Sequence, residues 1–344
     1  MSLRGEIAEQ PQVAARLLDT GRGPIRDLAA DARRRGVDYI VIAARGSSDH
    51  AAVYAQYALG VLASMPVALA APSVISRYGG HPKLHRALVL GISQSGRSPD
   101  IVGVLEEARG QGALTAAVTN DPASPLAATV DHHLDLGAGV ERAVAATKTY
   151  SAELIAVAML TAELATQPAE AWRALEAVPG VLEAGLAVEP DAERLAADRR
   201  AMDDCVVLGR GFNLSSALEW ALKLKELAYV RAQAYSSADF EHGPVASLPP
   251  GGDLLAISAP GPMADDLSSL LARLRVDRTV RTLTLAPAGS ELAGDHLPYP
   301  AGLPEWLSPI AAIVPAQLFC IHLTRARGHD PETPRGLHKV TLTR

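Results

Sequence analysis

Short apolar runs alternate with longer amphipathic stretches along almost the whole chain. In the first half, the runs that predict strands lie at 37–44, 67–70, 87–92, 113–118 and 132–136, and helical periodicity lies near 49–63, 99–110 and 146–165. In the second half, the runs lie at 205–209, 253–258 and 279–285, and the helical stretches near 214–230, 263–276 and 308–327. Strands that alternate with helices are typical of βαβ units, so the pattern predicts an α/β fold with parallel sheets.

One constant offset relates the two halves of the chain. A shift of 165 residues places the segment 41–46 on 206–211, and Ile92-Ser93 on Ile257-Ser258. Because a single offset holds through separated segments, we interpret the chain as two copies of one structural unit.

The charge balance and the apolar content narrow the range of partners. The net charge is −6, which is unlike the basic surface of a nucleic-acid-binding protein. The most apolar stretch, 58–71, is interrupted by Pro66 and is too short to cross a bilayer. The first 12 residues lack the apolar core of a signal peptide. We therefore expect a cytoplasmic protein that binds neither nucleic acid nor a membrane.

A serine-rich turn follows the predicted strand 87–92, and its sequence is Ser93-Gln94-Ser95-Gly96. In open α/β sheets, ligands bind at the carboxyl ends of the strands, where helix N-termini present unpaired N–H groups. Hydroxyls in this turn and backbone amides could surround a phosphate group. The alternative is an ordinary turn in which Ser98 caps the next helix.

The second copy favours the phosphate interpretation. At the equivalent place it has Ser258-Ala259-Pro260-Gly261, which retains the glycine but loses hydrogen-bonding side chains. A second turn of the first copy, Arg45-Gly46-Ser47-Ser48, ends the first strand and could contact the same ligand. The segment 209–211 begins like a dinucleotide-binding loop, but the position of the third glycine carries Leu214, so we predict no nicotinamide cofactor.

Two further groups of polar residues could carry chemistry. Glu219, Lys223 and Glu226 are spaced by four and three residues, which places them on one helical face, either as a surface ion-pair ladder or as groups that project into a cleft. His132 and His133 are adjacent on a predicted strand, so their rings point to opposite faces and cannot share a metal. We predict no metal site.

Five ordered motifs resemble the tandem sugar isomerase (SIS) domains of glucosamine-6-phosphate synthase over nearly the whole chain. The matching segments are Ser93-Gln94-Ser95-Gly96, Ala145-Ala146-Thr147-Lys148, residues 221–226, Glu241-His242-Gly243-Pro244 and residues 334–339. The resemblance implies two tandem SIS domains, each a parallel five-stranded sheet flanked by helices in a flavodoxin-like αβα arrangement. The residue pattern itself predicts an N-terminal helical segment at 1–35 and a helical connector, without a strand signal, at 169–200. The resemblance implies SIS domains at 36–168 and 201–328 and a C-terminal tail at 329–344 that closes the active site.

The resemblance also implies roles for individual residues. Glu226 would move a proton between C2 and C1 of the sugar, His242 would open the ring from a neighbouring subunit, and Lys339 would approach the open-chain carbonyl. Substrate-binding roles are implied for Gly46, Ser47, Ser48, Ser93, Gln94, Ser95, Ser98, Val144 and Lys223. These roles imply a homodimer, a sugar-phosphate substrate and no metal or organic cofactor.

The sequence starts at the SIS unit, without the glutaminase domain of the synthase, and we therefore expect deamination of glucosamine 6-phosphate to fructose 6-phosphate. The chain departs from the synthase pattern at Arg97, Arg142, Ala146 and His338, which leaves the choice of sugar open. One alternative is a lyase, dehydratase or isomerase that enolises N-acetylglucosamine 6-phosphate or another sugar phosphate. Another is a sensor that binds a sugar phosphate without catalysis.

Overall fold

A computed structural model of the chain describes residues 2–339. The strands in this part of the chain are β1 (Tyr39–Ala43), β2 (Val67–Leu69), β3 (Ala87–Ile92), β4 (Leu114–Thr119), β5 (His132–Asp135), β6 (Asp204–Gly209), β7 (Arg231–Ser236), β8 (Asp253–Ile257), β9 (Arg281–Pro287) and β10 (Asp295–Tyr299). The helices there are α1 (Leu3–Ala8), α2 (Gln10–Thr20), α3 (Arg22–Arg35), α4 (Ser47–Ala63), α5 (Pro72–Ser76), α6 (Pro99–Gly110), α7 (Pro125–Thr129), α8 (Lys148–Leu164), α9 (Pro168–Leu175), α10 (Val178–Gly185), α11 (Glu189–Asp198), α12 (Leu214–Leu227), α13 (Ser237–Glu241), α14 (Ala264–Arg278) and α15 (Ser308–Ala326).

The chain forms two compact units. The first unit contains residues 12–141, 148–176 and 338–339, and the second contains residues 2–11, 142–147 and 177–337. These groupings differ from the domain limits expected from the sequence, because the first helix and most of the helical connector group with the second unit. The expected tail extends to residue 344, and its last five residues lie outside the described part of the chain.

The first unit is built on a parallel sheet in the order β2-β1-β3-β4-β5. Every residue of β3 and β4 is buried, because helices cover both faces of a parallel sheet. One cluster of the core joins β1 and β3 to α6 through residues such as Val41, Val89 and Ile101. Helix α4 packs against α8, which is buried over most of its length.

The second unit repeats this strand order as β7-β6-β8-β9-β10, again with parallel pairing. Each strand begins within two residues of the position that the 165-residue offset gives for its counterpart in the first sheet. Its core includes Val206, Leu254 and Leu270, from β6, β8 and α14. The expectation of two parallel five-stranded sheets flanked by helices is therefore confirmed.

The hydrophobic pattern predicted most elements but missed two strands and the short helices α5, α7 and α13. All six helices predicted from periodicity are present, and residues 2–35 and 169–200 are largely helical, without a strand. The missed strands, β7 and β10, lie at the two edges of the second sheet. Edge strands are covered less completely than central ones, so polar residues such as Gln233 and His296 interrupt their apolar pattern.

Among the described residues, one segment, Glu305–Ala326, is long and apolar enough to cross a membrane by length and composition alone. Residues 306–324 of this segment are all buried, and the segment includes helix α15. In the second unit α15 packs against α11 and α12, and its apolar surface is thereby covered by protein.

Candidate active site

The serine-rich turn lies at the carboxyl end of β3 in the first unit. The backbone N–H of Ser93 donates to the carbonyl of Val118 at 3.1 Å, which extends the β3–β4 pairing by one residue. The N–H of Gly96 donates to the Ser93 hydroxyl at 3.2 Å, and the N–H of Asn120 donates to the Gln94 carbonyl at 3.0 Å. The turn is thus held by its backbone amides, one of which binds the Ser93 hydroxyl, and the side chains of Gln94 and Ser95 are half-buried.

Glycine is required at position 96 for two reasons. Its φ of +59° is a conformation that other residues adopt only with strain. A β-carbon at this position would also collide with the side chain of Ser124, which caps α7. The glycine therefore allows the turn to lie directly against the next helix.

Ser98 occupies the N-cap position of α6, as the simpler interpretation of the turn expected. Its hydroxyl makes no capping hydrogen bond to that helix, and Pro99 follows at the first helical position. Proline is favourable there because the first N–H of a helix has no partner within the helix. The Ser98 side chain therefore does not cap helix α6.

The second predicted turn begins helix α4. Gly46 is its N-cap residue, with φ +57° and ψ −131°, a combination that requires glycine. The hydroxyl of Ser48 donates to the buried carboxylate of Glu153 on α8 at 2.8 Å. Ser47 and Ser48 are the two serines of this turn that were expected to bind substrate, and the hydroxyl proton of Ser48 is used in a hydrogen bond to Glu153.

An ion pair that the sequence did not suggest connects the two turns. Arg45, which follows β1, donates through Nε and Nη2 to Oδ2 of Asp100, at 3.0 and 2.9 Å. Asp100 lies in the first turn of α6 and is only 2% exposed, whereas the Arg45 side chain is 50% exposed. Arg45 therefore ties the start of the α4 turn to the start of α6.

The equivalent turn of the second unit is filled by other protein groups. The Tyr299 hydroxyl donates to the Ser258 carbonyl at 2.8 Å, and the Glu305 carboxylate packs against Gly261 so closely that a β-carbon there would collide with it. Burial raises the pKa of Glu305. A carboxylate at this position is a poor neighbour for an anion, so this turn is not equipped to hold a phosphate.

The second unit nevertheless retains a counterpart of the arginine–aspartate pair. Arg210, which follows β6, lies 3.1 Å from Asp266 in the first turn of α14. The Asp266 side chain is 62% exposed, unlike that of Asp100. The pair is thus common to both copies, but only the first copy has a buried aspartate.

Arg97, the residue at which the turn departs from the synthase pattern, pairs with Asp121 at 3.0 Å. Hydrogen bonding to Arg97 lowers the pKa of the Asp121 carboxyl. Both side chains are accessible to solvent, at 60% and 30% exposure. The Arg97 guanidinium is therefore paired with Asp121 at a position that solvent can reach.

Helix α12 of the second unit carries the predicted charged face. Nζ of Lys223 lies 3.2 Å from Glu219 and 2.5 Å from Glu226, so the three residues form one cluster. The Glu219 side chain is fully buried and that of Lys223 is 2% exposed, whereas that of Glu226 is 23% exposed. The cluster is therefore not a surface ladder, and Glu226 is its solvent-accessible carboxylate.

Two opposing effects act on the Lys223 ammonium. Burial lowers its pKa, but the adjacent carboxylates of Glu219 and Glu226 raise it by more, and the net pKa lies above its ordinary value. Lys223 is therefore a fixed positive charge beside Glu226 and not a base.

His242 and Val144 lie on loops of the second unit. His242 follows α13 and is exposed, and its backbone N–H donates to the carbonyl of Asp239 at 3.1 Å. The half-buried Val144 belongs to the loop 142–147, which is anchored by the buried carboxylate of Glu6 through the N–H of Arg142 at 2.5 Å.

Lys339 lies in the first unit, 2.6 Å from Oε2 of Glu141. The Glu141 side chain is fully buried, whereas that of Lys339 is 24% exposed. Sequence reasoning missed Glu141. The available signal was the one acidic residue in the loop 136–147, which precedes the Lys148 helix.

The paired histidines have separate partners. In the first unit, His132 contacts Asp31 at 3.0 Å and His133 contacts the Thr119 hydroxyl at 3.1 Å. No group of three or more His, Cys, Asp or Glu residues suited to a metal ion occurs within residues 2–339.

The family model for the SIS domain matches residues 35–163. A glutamine–fructose-6-phosphate aminotransferase (isomerizing) from Gloeobacter violaceus is 37% identical over 356 residues. The aligned region covers 97% of this chain and 57% of that relative, so the chain spans little more than half of the relative's length.

Three solved structures are similar to this chain over nearly its whole length. A protein from Silicibacter pomeroyi DSS-3 assigned to the phosphosugar isomerases is 35% identical, with a TM-score of 0.87 and coverage of 96% of this chain and 99% of that one. The C-terminal domain of the glucosamine-fructose-6-phosphate aminotransferase from Francisella tularensis has a TM-score of 0.86 at 24% identity, with coverage of 96% and 98%. Glucosamine-6-phosphate deaminase from Thermotoga maritima has a TM-score of 0.73 at 20% identity, with coverage of 96% and 100%. The last two similarities show the fold alone.

Proposed function

Because this chain belongs to the SIS-domain family, we propose that it is a cofactor-independent sugar-phosphate isomerase that deaminates glucosamine 6-phosphate to fructose 6-phosphate. The observation that carries this proposal is the cluster on α12, where the accessible carboxylate of Glu226 lies 2.5 Å from the buried ammonium of Lys223. A carboxylate beside a fixed positive charge suits proton transfer at a carbon next to a carbonyl.

The phosphate is bound by the serine-rich turns of the first unit in this proposal. Two turns that open α4 and α6 supply helix N-termini and hydroxyl groups, and the Arg45–Asp100 pair connects them. Helix N-termini favour anions because their first N–H groups lack partners in the helix and the helix dipole is positive there. The altered turn of the second unit, with Glu305 beside it, supports the assignment of this role to the first unit.

The chemical steps follow from the side chains. His242 opens the sugar ring, and Glu226 then removes the proton from C2 of the open-chain aldehyde. The C1 oxygen takes a proton from water as the carbonyl becomes an enol, and the resulting enolamine carries its amine on C2. Return of a proton from Glu226 to C1 gives a C2 iminium ion. Addition of water and loss of ammonia then yield the ketone of fructose 6-phosphate.

Lys223 and Glu219 have supporting roles in these steps. Negative charge develops on the C1 oxygen as the C2 proton leaves, and the Lys223 ammonium stabilises this charge. Glu219 keeps Lys223 charged before the reaction begins, because its buried carboxylate stabilises the ammonium form. Lys339 supplies an amine that can form an imine with the ketose carbonyl, which activates C1 in the reverse direction.

We further propose that the active form is a homodimer in which His242 acts on the neighbouring subunit. The exposure of His242 within its own chain supports this arrangement. Sizing the protein in solution tests it, because a fully active monomer would contradict a shared site.

A direct assay tests the reaction. Purified protein is incubated with glucosamine 6-phosphate in heavy water, and ammonia, fructose 6-phosphate and deuterium at C1 and C2 are measured. We expect equal amounts of ammonia and ketose, and we expect Glu226→Gln to lower kcat by about 100- to 10,000-fold, the usual contribution of a general base. Lys225→Gln is the matched control, since this neighbour on α12 is exposed and should leave turnover unchanged.

Two results would count against the proposal. Deuterium exchange at C2 with loss of a hydroxyl and no ammonia would show an elimination in place of deamination. If Glu226→Gln left the exchange of every tested sugar phosphate unchanged, Glu226 would not be the base, and binding without exchange would indicate a sensor.

A further inference from the structure

Glu141 is a buried carboxylate with a defined set of partners in the first unit. It lies between β5 and α8, and its Oε1 accepts a hydrogen bond from the backbone N–H of Thr149 at 3.1 Å. Its Oε2 accepts from the Thr149 hydroxyl at 2.7 Å. Both donors lie in the first turn of α8, where a carboxylate is also favoured by the helix dipole. The position of Glu141 is therefore set by a rigid helix end.

The same carboxylate binds the side chain of Lys339. The 2.6 Å distance between Nζ and Oε2 is typical of a short charge-assisted hydrogen bond. The two residues are 198 positions apart, so the contact holds the end of the described chain against the start of α8. A lysine side chain alone has four flexible carbons and no fixed direction, whereas this one has a fixed partner.

We propose that Glu141 is a positioning residue that anchors Lys339 for reaction with the substrate carbonyl. This inference rests on the proposed function, which assigns Lys339 an amine role. In the ion pair Lys339 is an ammonium ion, and it must pass one proton to Oε2 of Glu141, at 2.6 Å, before its nitrogen can attack C2 of the ketose. The N–C bond then forms, and the ketose oxygen takes up the two remaining amine protons and leaves as water to give the imine. An amine that is held in one position reaches the carbonyl faster than a freely moving one. Glu141 binds both Thr149 in the first turn of α8 and the Lys339 side chain, so it fixes the position of the amine relative to the N-terminus of that helix.

The first experiment measures the anchor itself and does not depend on any substrate. Lys339 is acetylated with an amine-reactive reagent, and its rate of modification is read by mass spectrometry. We expect Glu141→Gln to increase the rate at Lys339 by about threefold to tenfold, because the amide can still accept from Thr149 but lacks the charge that pairs with the ammonium. Glu163→Gln is the matched control, since it makes the same change near the other end of α8, where the partner is Trp172.

The second experiment measures the chemistry. Fructose 6-phosphate is added with borohydride, which reduces an imine between Lys339 and C2 of the ketose to a stable amine after water has left. We expect a label on Lys339 in the native protein and at least tenfold less in Glu141→Gln, with the KM for the sugar phosphate changed less than twofold. Glu141→Asp retains the negative charge, and we expect it to recover part of the label.

The possible results are distinguishable. Unchanged acetylation and unchanged labelling in Glu141→Gln would overturn the inference, and so would an equal effect in Glu163→Gln. If Glu141→Gln does not fold, Glu141→Asp tests the inference instead. Native levels of imine labelling and of acetylation at Lys339 in Glu141→Asp would overturn the inference, because the shorter side chain moves the carboxylate away from Lys339. Protection of Lys339 without any label in the native protein would refute the amine role in the proposed function and would leave the anchor supported.

Discussion

Replacement of Arg45 by methionine should weaken sugar-phosphate binding without removing a group that carries out chemistry. Arg45 makes two hydrogen bonds to Oδ2 of Asp100 and so connects the turn that opens α4 with the first turn of α6. Methionine fills a similar volume but cannot donate a hydrogen bond. The two turns would keep their own backbone hydrogen bonds and lose the connection between them.

The magnitude follows from the exposure of the two partners. Removing one partner of a fully buried pair costs about 3–5 kcal/mol, and an exposed pair contributes about 0–1 kcal/mol. Asp100 is 2% exposed and Arg45 is 50% exposed, so we expect the free energy of unfolding to fall by about 1–2 kcal/mol. If the loss of connection affects the bound phosphate similarly, the dissociation constant of glucosamine 6-phosphate rises roughly tenfold, since 1.4 kcal/mol is a factor of ten.

The second unit provides the control for this experiment. Arg210→Met removes the equivalent pair with Asp266, which is largely exposed, and it should lower the free energy of unfolding by no more than about 1 kcal/mol. Titration calorimetry with glucosamine 6-phosphate and denaturant unfolding give the two quantities for both variants. Equal weakening of binding by both substitutions, or unchanged binding in Arg45→Met, would refute the view that Arg45 sets the geometry of the turns that we propose bind phosphate.

Two further predictions concern the serine turn and acid stability. Ser93→Ala should weaken glucosamine 6-phosphate binding by at least about tenfold, which is the loss expected for a hydrogen bond to a charged group. Ser258→Ala, at the equivalent place in the second unit, should leave binding unchanged in the same titration. If instead Ser258→Ala weakened binding and Ser93→Ala did not, the phosphate would be assigned to the second unit. Hydrogen bonding to His132 lowers the pKa of Asp31, so Asp31 stabilises the fold above its unfolded pKa of about 3.9, and this contribution is lost as the pH falls through the lower folded pKa. Below about pH 5, the free energy of unfolding should therefore fall less steeply with decreasing pH in Asp31→Asn than in the native protein. The same pH dependence in both proteins would contradict this reasoning.

The sequence alone predicted the repeated α/β architecture, because apolar periodicity and the repeat can both be read along the chain without knowing which distant residues are in contact. Apolar periodicity reports which side of a strand or helix is covered, and the constant offset reports a repeated order of elements. The edge strands β7 and β10 were missed because a strand covered on fewer sides tolerates polar residues. Their positions could have been inferred from β2 and β5 through the offset.

The geometry of the candidate site was predicted only in part. The turn with Ser93, Ser95 and Gly96 was recognisable from its residues, since it lies where any strand–turn–helix unit presents free amides. The spacing of Glu219, Lys223 and Glu226 predicted a shared helical face. It did not predict that one carboxylate is buried and the other accessible, because a helical pattern does not specify what packs against the helix.

Partnerships between distant residues were decided by the tertiary structure. Arg45 and Asp100 are 55 positions apart, Ser48 and Glu153 are 105 apart, and Lys339 and Glu141 are 198 apart. A charged side chain has the same local sequence signature whether it faces solvent or a buried partner. Its role depends on where the chain brings another charge within about 3 Å, and that position is determined by the packing of the helices and strands that carry both residues.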